Sequence, residues 1–326
     1  MKRSRIRLVV AGVIGVLLVA ACNSVRSREA ASSDSQMGTA TYTLEVSGLK
    51  REYVVHVPRG YDKNQATPVV IMFHGGGGTV EHVMHETGWV AKADEAGFIG
   101  VFPQGIRKDP NRPPSFLRNP QSWNDGSSRL YAGEVNADDT GFARAMIADL
   151  KHHFNVDPKR IYVSGFSNGS SMAFRLGVEL SDQIAAIAPV ASSGLRLKDP
   201  HFGRAVSLIY IHGTADPRNP IEGGDVKNWG KVDWRPPLKD TVRHWAEVSG
   251  CRSRPRTLRD DSDGVRALDY DGCRGGAEVV FYTVEGMGHT WPGGTSSLPR
   301  FLVGNTSDKL NATDLIWDFF KRHSMN

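Results

Sequence analysis

The most constraining feature of the sequence is a serine between two glycines, placed after an apolar run and before a helical segment. Residues 160–170 are Arg-Ile-Tyr-Val-Ser-Gly-Phe-Ser-Asn-Gly-Ser, so Gly165 and Gly169 flank Ser167. Strand, sharp turn and helix form the context in which Gly-x-Ser-x-Gly exposes a nucleophilic hydroxyl. The glycines allow strand and helix to approach closely, and a helix start favours developing negative charge. A chance serine in a glycine-rich turn is the alternative, because the chain has 35 glycines.

Apolar runs alternate with helical segments along the rest of the chain. Continuous or alternating apolar residues predict strands at 41–46, 52–57, 68–73, 98–102, 184–191, 206–211 and 278–284. Helical periodicity predicts helices at 80–96, 138–154, 238–248 and 311–322. Two irregular stretches, 106–137 and 216–237, interrupt this pattern. The alternation predicts one α/β domain whose central sheet is mostly parallel and covered by helices on both faces.

The N-terminal segment has the pattern of an export signal. Four basic residues precede an apolar run from Leu8 to Ala21, which is too short to span a membrane comfortably. The run ends Val-Ala-Ala-Cys, which resembles a bacterial lipobox, so Cys22 is predicted to carry a lipid and to become the new N-terminus. The alternative is cleavage elsewhere, with Cys22 incidental. We expect an exported protein, anchored by lipid to the cell envelope (periplasmic or at the surface) or secreted.

Charge and cysteine content restrict the remaining partners. The formal net charge is +5, and Lys2, Arg3, Arg5 and Arg7 account for most of it. The body of the chain therefore carries no basic footprint for nucleic acid. After Cys22, only two cysteines remain, Cys251 and Cys273; in an oxidising compartment a disulfide is their simplest state, and two free buried thiols are the alternative. Two isolated cysteines do not make a metal site.

A base and an acid follow two later strands. Asp216 comes after the strand at 206–211, and His289 comes after the strand at 278–284. The order Ser167, Asp216, His289 is the serine–acid–histidine order of α/β-hydrolases. Asp225 is the main rival for the acid. His74 and His212 each precede a glycine at a strand end, so we interpret both as structural histidines bonded to nearby backbone.

A glycine loop supplies candidate donors for an oxyanion. The sequence His-Gly-Gly-Gly-Gly begins at His74, directly after a buried strand. Its glycines allow backbone N–H groups to face a substrate oxygen closely, so the N–H of Asn168 and one from Gly76 or Gly77 are predicted to form an oxyanion hole. A phosphate-binding loop is not supported, because the Gly-Lys-Ser/Thr that follows in such loops is missing.

Six motifs together carry a family resemblance. In order they are His74–Gly77, Phe102–Gly105, Trp123–Asp125, Asp157–Gly169, His212–Asp216 and His289 within Gly-His-Thr-Trp-Pro-Gly-Gly. Over residues 41–322 the chain resembles the exported polyhydroxybutyrate depolymerase/feruloyl esterase family of α/β-hydrolases. The resemblance implies Ser167, Asp216 and His289 as a catalytic triad, and a disulfide between Cys251 and Cys273. Members of that family cleave hydroxyalkanoate polyesters, feruloyl esters and acetylated xylan, so it leaves the substrate open.

These observations predict a signal peptide with a lipobox at 1–22, a flexible tether at 23–40 and a single α/β-hydrolase catalytic domain at 41–326. The expected activity is that of a serine carboxylesterase with a two-step acyl-enzyme mechanism, no metal and no organic cofactor. Trp123 and Trp291 are candidates for contact with the acyl or sugar group, and plain core aromatics are the alternative. A depolymerase for hydroxybutyrate oligomers and a catalytically silent surface binding protein are the competing hypotheses.

Overall fold

A computed structural model describes residues 37–198, 200–228 and 231–325. The predicted signal peptide, Cys22 and the predicted tether up to residue 36 lie outside the described residues. Within the described part, no helix combines the length and apolar character needed to cross a membrane.

Strands and helices alternate through most of the chain. The strands are β1 (Gly38–Val46), β2 (Leu49–Val57), β3 (Thr67–Phe73), β4 (Ile99–Pro103), β5 (Val156–Phe166), β6 (Ala186–Val190), β7 (Ser207–Gly213), β8 (Gly224–Asn228), β9 (Lys231–Arg235), β10 (Arg256–Asp260), β11 (Val265–Tyr270) and β12 (Val279–Val284). The helices are α1 (Val80–Thr87), α2 (Trp89–Ala96), α3 (Tyr131–Glu134), α4 (Asp139–His153), α5 (Asn168–Glu179), α6 (Leu238–Val248), α7 (Arg300–Val303) and α8 (Ala312–Phe320).

A ten-stranded sheet organises the domain. Its order is β1-β2-β4-β3-β5-β6-β7-β12-β11-β10, and β8 and β9 form a separate hairpin. The strands from β4 to β12 in this order are parallel, whereas β1 and β2 at one edge and β11 and β10 at the other are antiparallel. The central strands are buried along their whole length, as their continuous apolar runs require. The predicted mostly parallel α/β fold is confirmed.

Helices cover both faces of the sheet and define two apolar clusters. On one face α4, α5 and α6 contribute residues such as Phe142, Phe174 and Trp245. On the other face α1, α2 and α8 contribute residues such as Trp89 and Phe320. The sheet separates the two clusters, which is the layered arrangement expected when helices bury one apolar stripe each.

Several element boundaries differ from the predictions. Strand β1 begins at Gly38, inside the predicted tether, because its backbone pairs with β2 from Gly38 opposite Val57 onward. The predicted helix at 80–96 is wrong as a single helix. Gly88 adopts a left-handed conformation with φ of 70° and divides α1 from α2. The β10–β11 hairpin lies where the sequence predicts no element, because the edge strand β10 is mostly exposed and charged and so carries no apolar run.

The turn at Ser167 depends on contacts between backbones. Ser167 lies between β5 and α5 with φ of 55° and ψ of −114°, a conformation that non-glycine residues rarely adopt. A Cβ atom on Gly165 would lie 2.3 Å from the carbonyl oxygen of Gly169. A Cβ atom on Gly169 would lie 2.3 Å from the carbonyl oxygen of Phe73, at the end of β3. The two glycines therefore let α5 start directly against β5 and β3.

Two cysteines lie at bonding distance, one after the end of α6 and one in the turn after β11. The sulfur atoms of Cys251 and Cys273 are 1.99 Å apart, and the residues are separated by 22 positions in the chain. In the chain-entropy model, closing a loop of this length stabilises the fold by about 3 kcal/mol.

Replacing Gly169 with alanine should destabilise the protein although alanine is the better helix former. We expect the free energy of unfolding to fall by about 3 kcal/mol, because the added methyl group overlaps the backbone of β3. Urea unfolding followed by tryptophan fluorescence measures the change. Gly60→Ala is the matched control, since a Cβ there meets no atom within 4 Å. Equal stability of the two variants would contradict this account of the turn.

Candidate active site

The predicted site residues lie after neighbouring parallel strands. The glycine loop follows β3, Ser167 follows β5, Asp216 follows β7 and His289 follows β12. These strands run parallel in one sheet, so their carboxyl ends meet at the same edge. The structure therefore brings together residues of the glycine loop and His289, which are more than 200 positions apart in the chain.

Ser167, His289 and Asp216 form a continuous chain of hydrogen bonds. The Oγ atom of Ser167 is 2.8 Å from Nε2 of His289, and Nδ1 of His289 is 2.7 Å from Oδ2 of Asp216. An ionised carboxylate can only accept a hydrogen bond, so Nδ1 of His289 carries the proton and donates a hydrogen bond to Asp216. Nε2 of His289 is then unprotonated and can accept the proton of the Ser167 hydroxyl. The geometry is that required for a histidine to take up the proton of the serine.

The carboxylate of Asp216 is held in its ionised form. Its Oδ1 atom accepts hydrogen bonds of 2.8 Å from the backbone N–H groups of Arg218 and Asn219. Burial alone would raise the pKa of Asp216. The charge and the hydrogen bond of His289 act in the opposite direction and outweigh burial, so the pKa lies below its usual value. An ionised Asp216 orients the His289 ring and stabilises the imidazolium that forms when the ring is protonated. Asp225, the rival candidate, is exposed on β8 and pairs with Trp234, away from this chain of bonds.

The glycine loop lines the cleft next to the start of α5. The N–H of Gly77 donates to the carbonyl of Gln121 at 2.7 Å, so the alternative that Gly77 supplies the oxyanion donor is wrong. Gly76 makes no such backbone bond among the described residues, and a Cβ placed on it would lie 3.6 Å from Cβ of Asn168. Gly76 and Asn168 are thus neighbouring residues, and the N–H of Gly76 is a candidate donor to an oxyanion.

A buried polar network holds Asn168 in place. Its Oδ1 accepts from the N–H of Trp123 at 2.8 Å, and its Nδ2 donates to Oδ2 of Asp125 at 3.0 Å. Burial would raise the pKa of Asp125, but Arg129 and the hydrogen bonds from Ser127 hold it below its usual value. The side chain of Asn168 therefore fixes the position of its own backbone N–H.

The two candidate tryptophans have different places. Trp123 is fully buried, donates from Nε1 to the carbonyl of His74 and belongs to the core cluster, so the prediction that it contacts substrate is wrong. In the core, the Trp123 ring packs edge to face against the ring of Phe73, and the two centroids are 4.9 Å apart. Trp291 lines the cleft, and its Nε1 donates to Thr313.

His74 and His212 are bonded as structural histidines. Nδ1 of His74 donates to the carbonyl of Gly75 at 2.8 Å, and its Nε2 accepts from the N–H of Gly105 at 3.0 Å. Burial lowers the pKa of His74 to about 4. His212 lies beside Tyr210 and bonds the carbonyl of Asn219, and burial lowers its pKa as well. Neutral His74 thus connects the glycine loop to the loop after β4.

The cleft around Ser167 has an apolar part and a basic part. Its empty space, with the open mouth included, is about 1120 Å³. Apolar lining comes from Val83, Phe116, Leu130, Phe166, Trp291, Leu298 and Val303. Three arginines also line it, Arg129, Arg218 and Arg235, and no sequence pattern singles them out because they lie in the irregular stretches. Among the described residues, no three histidine, cysteine or carboxylate side chains are grouped in a way that could hold a metal ion.

The fold and this chain of hydrogen bonds define an α/β-hydrolase. A family model described as phospholipase/carboxylesterase matches residues 60–228, just over half of the chain. The chain belongs to this family and is a carboxylic ester hydrolase of the serine type.

Relatives of known description agree with this class. The candidate esterase NocK of Nocardia uniformis subsp. tsuyamanensis is 29% identical over 86% of this chain and 82% of its own length. Feruloyl esterase B of Piromyces equi is 29% identical over 73% of this chain. Poly(3-hydroxyalkanoate) depolymerase C of Paucimonas lemoignei is 24% identical over 73% of this chain. The chain spans 42% and 58% of the last two proteins. The resemblance to the depolymerase/feruloyl esterase family is confirmed.

Acid should destabilise the protein through His74. Its pKa is lower in the folded protein, about 4, than the ordinary value of 6.5, so the unfolded chain binds more protons between these pH values. The contribution of neutral His74 to the free energy of unfolding is complete above pH 6.5 and is lost towards pH 4, a decrease of about 3 kcal/mol. Urea unfolding at a series of pH values measures the loss.

The contribution of His74 can be separated by substitution. His74→Ala should be less stable at pH 7, since two hydrogen bonds are lost, but should lose less stability on acidification. His152→Ala, on the exposed end of α4, should retain the wild-type dependence on pH. The same acid loss in His74→Ala as in wild type would contradict the assignment.

Proposed function

We propose that the protein is an exported serine carboxylesterase that works through an acyl-enzyme. The observation that carries this proposal is the hydrogen-bond chain from Ser167 through His289 to Asp216. His289 takes the proton of Ser167 as Oγ attacks the ester carbonyl, and then gives that proton to the departing alcohol. A water molecule attacks the acyl-enzyme with the same histidine as base, which releases the acid and restores Ser167.

The N–H groups of Asn168 and Gly76 stabilise the oxyanion of both tetrahedral intermediates in this proposal. Support comes from the proximity of the two residues and from the absence of a competing backbone acceptor for the N–H of Gly76 among the described residues. Loss of one such donor typically raises the barrier by about 3 kcal/mol. Asp125 and the backbone of Trp123 act as positioning groups, because they hold the Asn168 side chain.

We propose feruloyl, acetyl or other aryl and alkyl esters as substrates. The similarity to a feruloyl esterase and the aromatic and aliphatic lining of the cleft support this class. A hydroxyalkanoate oligomer is the second candidate, favoured by the similarity to a poly(3-hydroxyalkanoate) depolymerase. A silent binding protein would be expected to have an incomplete site, whereas Ser167, His289 and Asp216 are all in bonding positions. Rates on methyl ferulate, acetylated xylan and 3-hydroxybutyrate oligomers distinguish the ester classes.

The nucleophile is tested by covalent labelling. The folded protein should react with a fluorophosphonate probe, and the modified peptide should contain Ser167. Ser167→Ala should lose labelling and at least 1,000-fold in esterase activity, while Ser253→Ala, at an exposed turn, should keep both. Labelling that persists in Ser167→Ala would disprove the assignment, and so would a folded wild-type protein that neither labels nor hydrolyses any ester.

Export and anchoring rest on the sequence of the first 22 residues. We propose that Cys22 carries the lipid and that the described domain lies outside the cytoplasm, where Cys251 and Cys273 form a disulfide. A Cys22→Ser variant expressed in a bacterial host should move from the membrane fraction to the soluble exported fraction, because a lipid chain supplies the membrane affinity. Substitution of Ser24 is the control. Equal membrane retention of the Cys22→Ser variant and the wild type would rule out lipidation.

A further inference from the structure

Two apolar side chains from the irregular stretch 106–137 lie against the glycine loop. A Cβ atom placed on Gly76 would lie 3.0 Å from Cδ1 of Leu130, and one placed on Gly77 would lie 2.7 Å from Cδ2 of Phe116. Leu130 and Phe116 are half-buried and line the cleft. We name these two side chains the glycine-loop wall. It stands directly beside Gly76, which is a proposed oxyanion donor.

The backbone of Leu130 is held relative to Asn168, the other proposed oxyanion donor. Arg129, directly before Leu130, donates from Nε to Oδ2 of Asp125 at 3.1 Å, and the same carboxylate oxygen accepts from Nδ2 of Asn168 at 3.0 Å. The carbonyl of Leu130 accepts from the N–H of Glu134 at 3.0 Å, where α3 begins. Leu130 is thus anchored on both sides, so its side chain limits the space beside the proposed oxyanion site.

A second apolar lining adjoins His289. The segment 289–303 begins and ends at this histidine, because the N–H of His289 donates to the carbonyl of Val303 at 2.5 Å. Trp291, Leu298 and Val303 of this segment line the cleft. We name the segment the histidine loop. The cleft therefore has apolar lining at two places, one beside the glycine loop and one beside the base.

The direction of proton transfer decides which lining receives which half of the ester. In the tetrahedral intermediate, the carbonyl carbon carries Oγ of Ser167, the oxyanion, the alcohol oxygen and the acyl chain. His289 gives its proton to the alcohol oxygen, so this oxygen lies beside Nε2 of His289. The oxyanion occupies the site beside Gly76 and Asn168. The acyl chain is the remaining substituent, so it leaves the carbon away from His289 and passes the glycine-loop wall.

We propose that Leu130 determines the length of the acyl group that the protein accepts, with Phe116 as the second residue of the same wall, whereas the histidine loop contacts the alcohol. The inference rests on the proposed function and deepens it, because it assigns the two halves of the substrate to different linings. Burial of a further methylene group is favourable only where no side chain already fills the space. The isobutyl group of Leu130 therefore contacts short acyl groups and opposes long ones.

Esters that share one alcohol test the role of Leu130. The ratio of kcat/KM for p-nitrophenyl hexanoate to that for p-nitrophenyl acetate should rise at least about tenfold in Leu130→Ala, because the wall is shortened to a methyl group. Leu130→Phe enlarges the wall and should lower the same ratio. Leu117→Ala is the matched control, since Leu117 belongs to the same irregular stretch but is 78% exposed. This control should keep the wild-type ratio.

Esters that share one acyl group test the direction of the substrate. In Leu130→Ala, the ratio of kcat/KM for hexyl acetate to that for ethyl acetate should stay as in the wild type. Leu298→Ala, in the histidine loop, should change this alcohol ratio and leave the acyl ratio unchanged. A change in the alcohol ratio of Leu130→Ala, in place of its acyl ratio, overturns the proposal.

The outcomes separate this inference from the proposed function. Circular dichroism establishes that each variant is folded, and fluorophosphonate labelling of Ser167 establishes that the nucleophile is intact. If both folded and labelled Leu130 variants keep the wild-type acyl ratio, Leu130 does not select the acyl group, although the esterase assignment stands. A folded wild-type protein that hydrolyses no ester overturns both.

Discussion

Contact between backbones at the Ser167 turn is the constraint on which the rest of the site depends. Gly169 lies against the end of β3, and Gly165 lies against Gly169, so no side chain separates α5 from the sheet. This packing holds Ser167 in its strained conformation and keeps its hydroxyl within 2.8 Å of His289. It also places the first N–H groups of α5 beside the glycine loop, which begins directly after β3.

Around this turn, rigidity comes from buried polar groups. Asn168, Asp125 and the backbone of Trp123 are bonded to one another, and Nε1 of Trp123 continues the network to the carbonyl of His74. A buried polar group without a hydrogen-bond partner would lower the stability of the fold, so each group in this network depends on the partners that its neighbours supply. Ser167, Asn168 and the glycine loop consequently belong to one interconnected network of contacts.

Sequence patterns predicted the parts of the site that directly follow strands. Ser167, Asp216 and His289 each come shortly after an apolar run, and parallel strands end at one edge of a sheet. The errors concern long-range contacts. Gly77 donates to Gln121, and Trp123 turns into the core, because the irregular stretch 106–137 folds back on the glycine loop. No local periodicity records that path, and the arginines of the cleft escaped prediction for the same reason.

Asn219 links Arg235, which lines the cleft, to Asp216. Its N–H bonds Asp216, its carbonyl accepts from His212, its Nδ2 donates to Ala191, and its Oδ1 accepts from Arg235. A change at Arg235 would therefore reach His289 through Asn219 and Asp216. Arg235 and Asp216 are thus both bonded to one residue, so a substitution of Arg235 that displaced Asn219 would also disturb the carboxylate that orients His289.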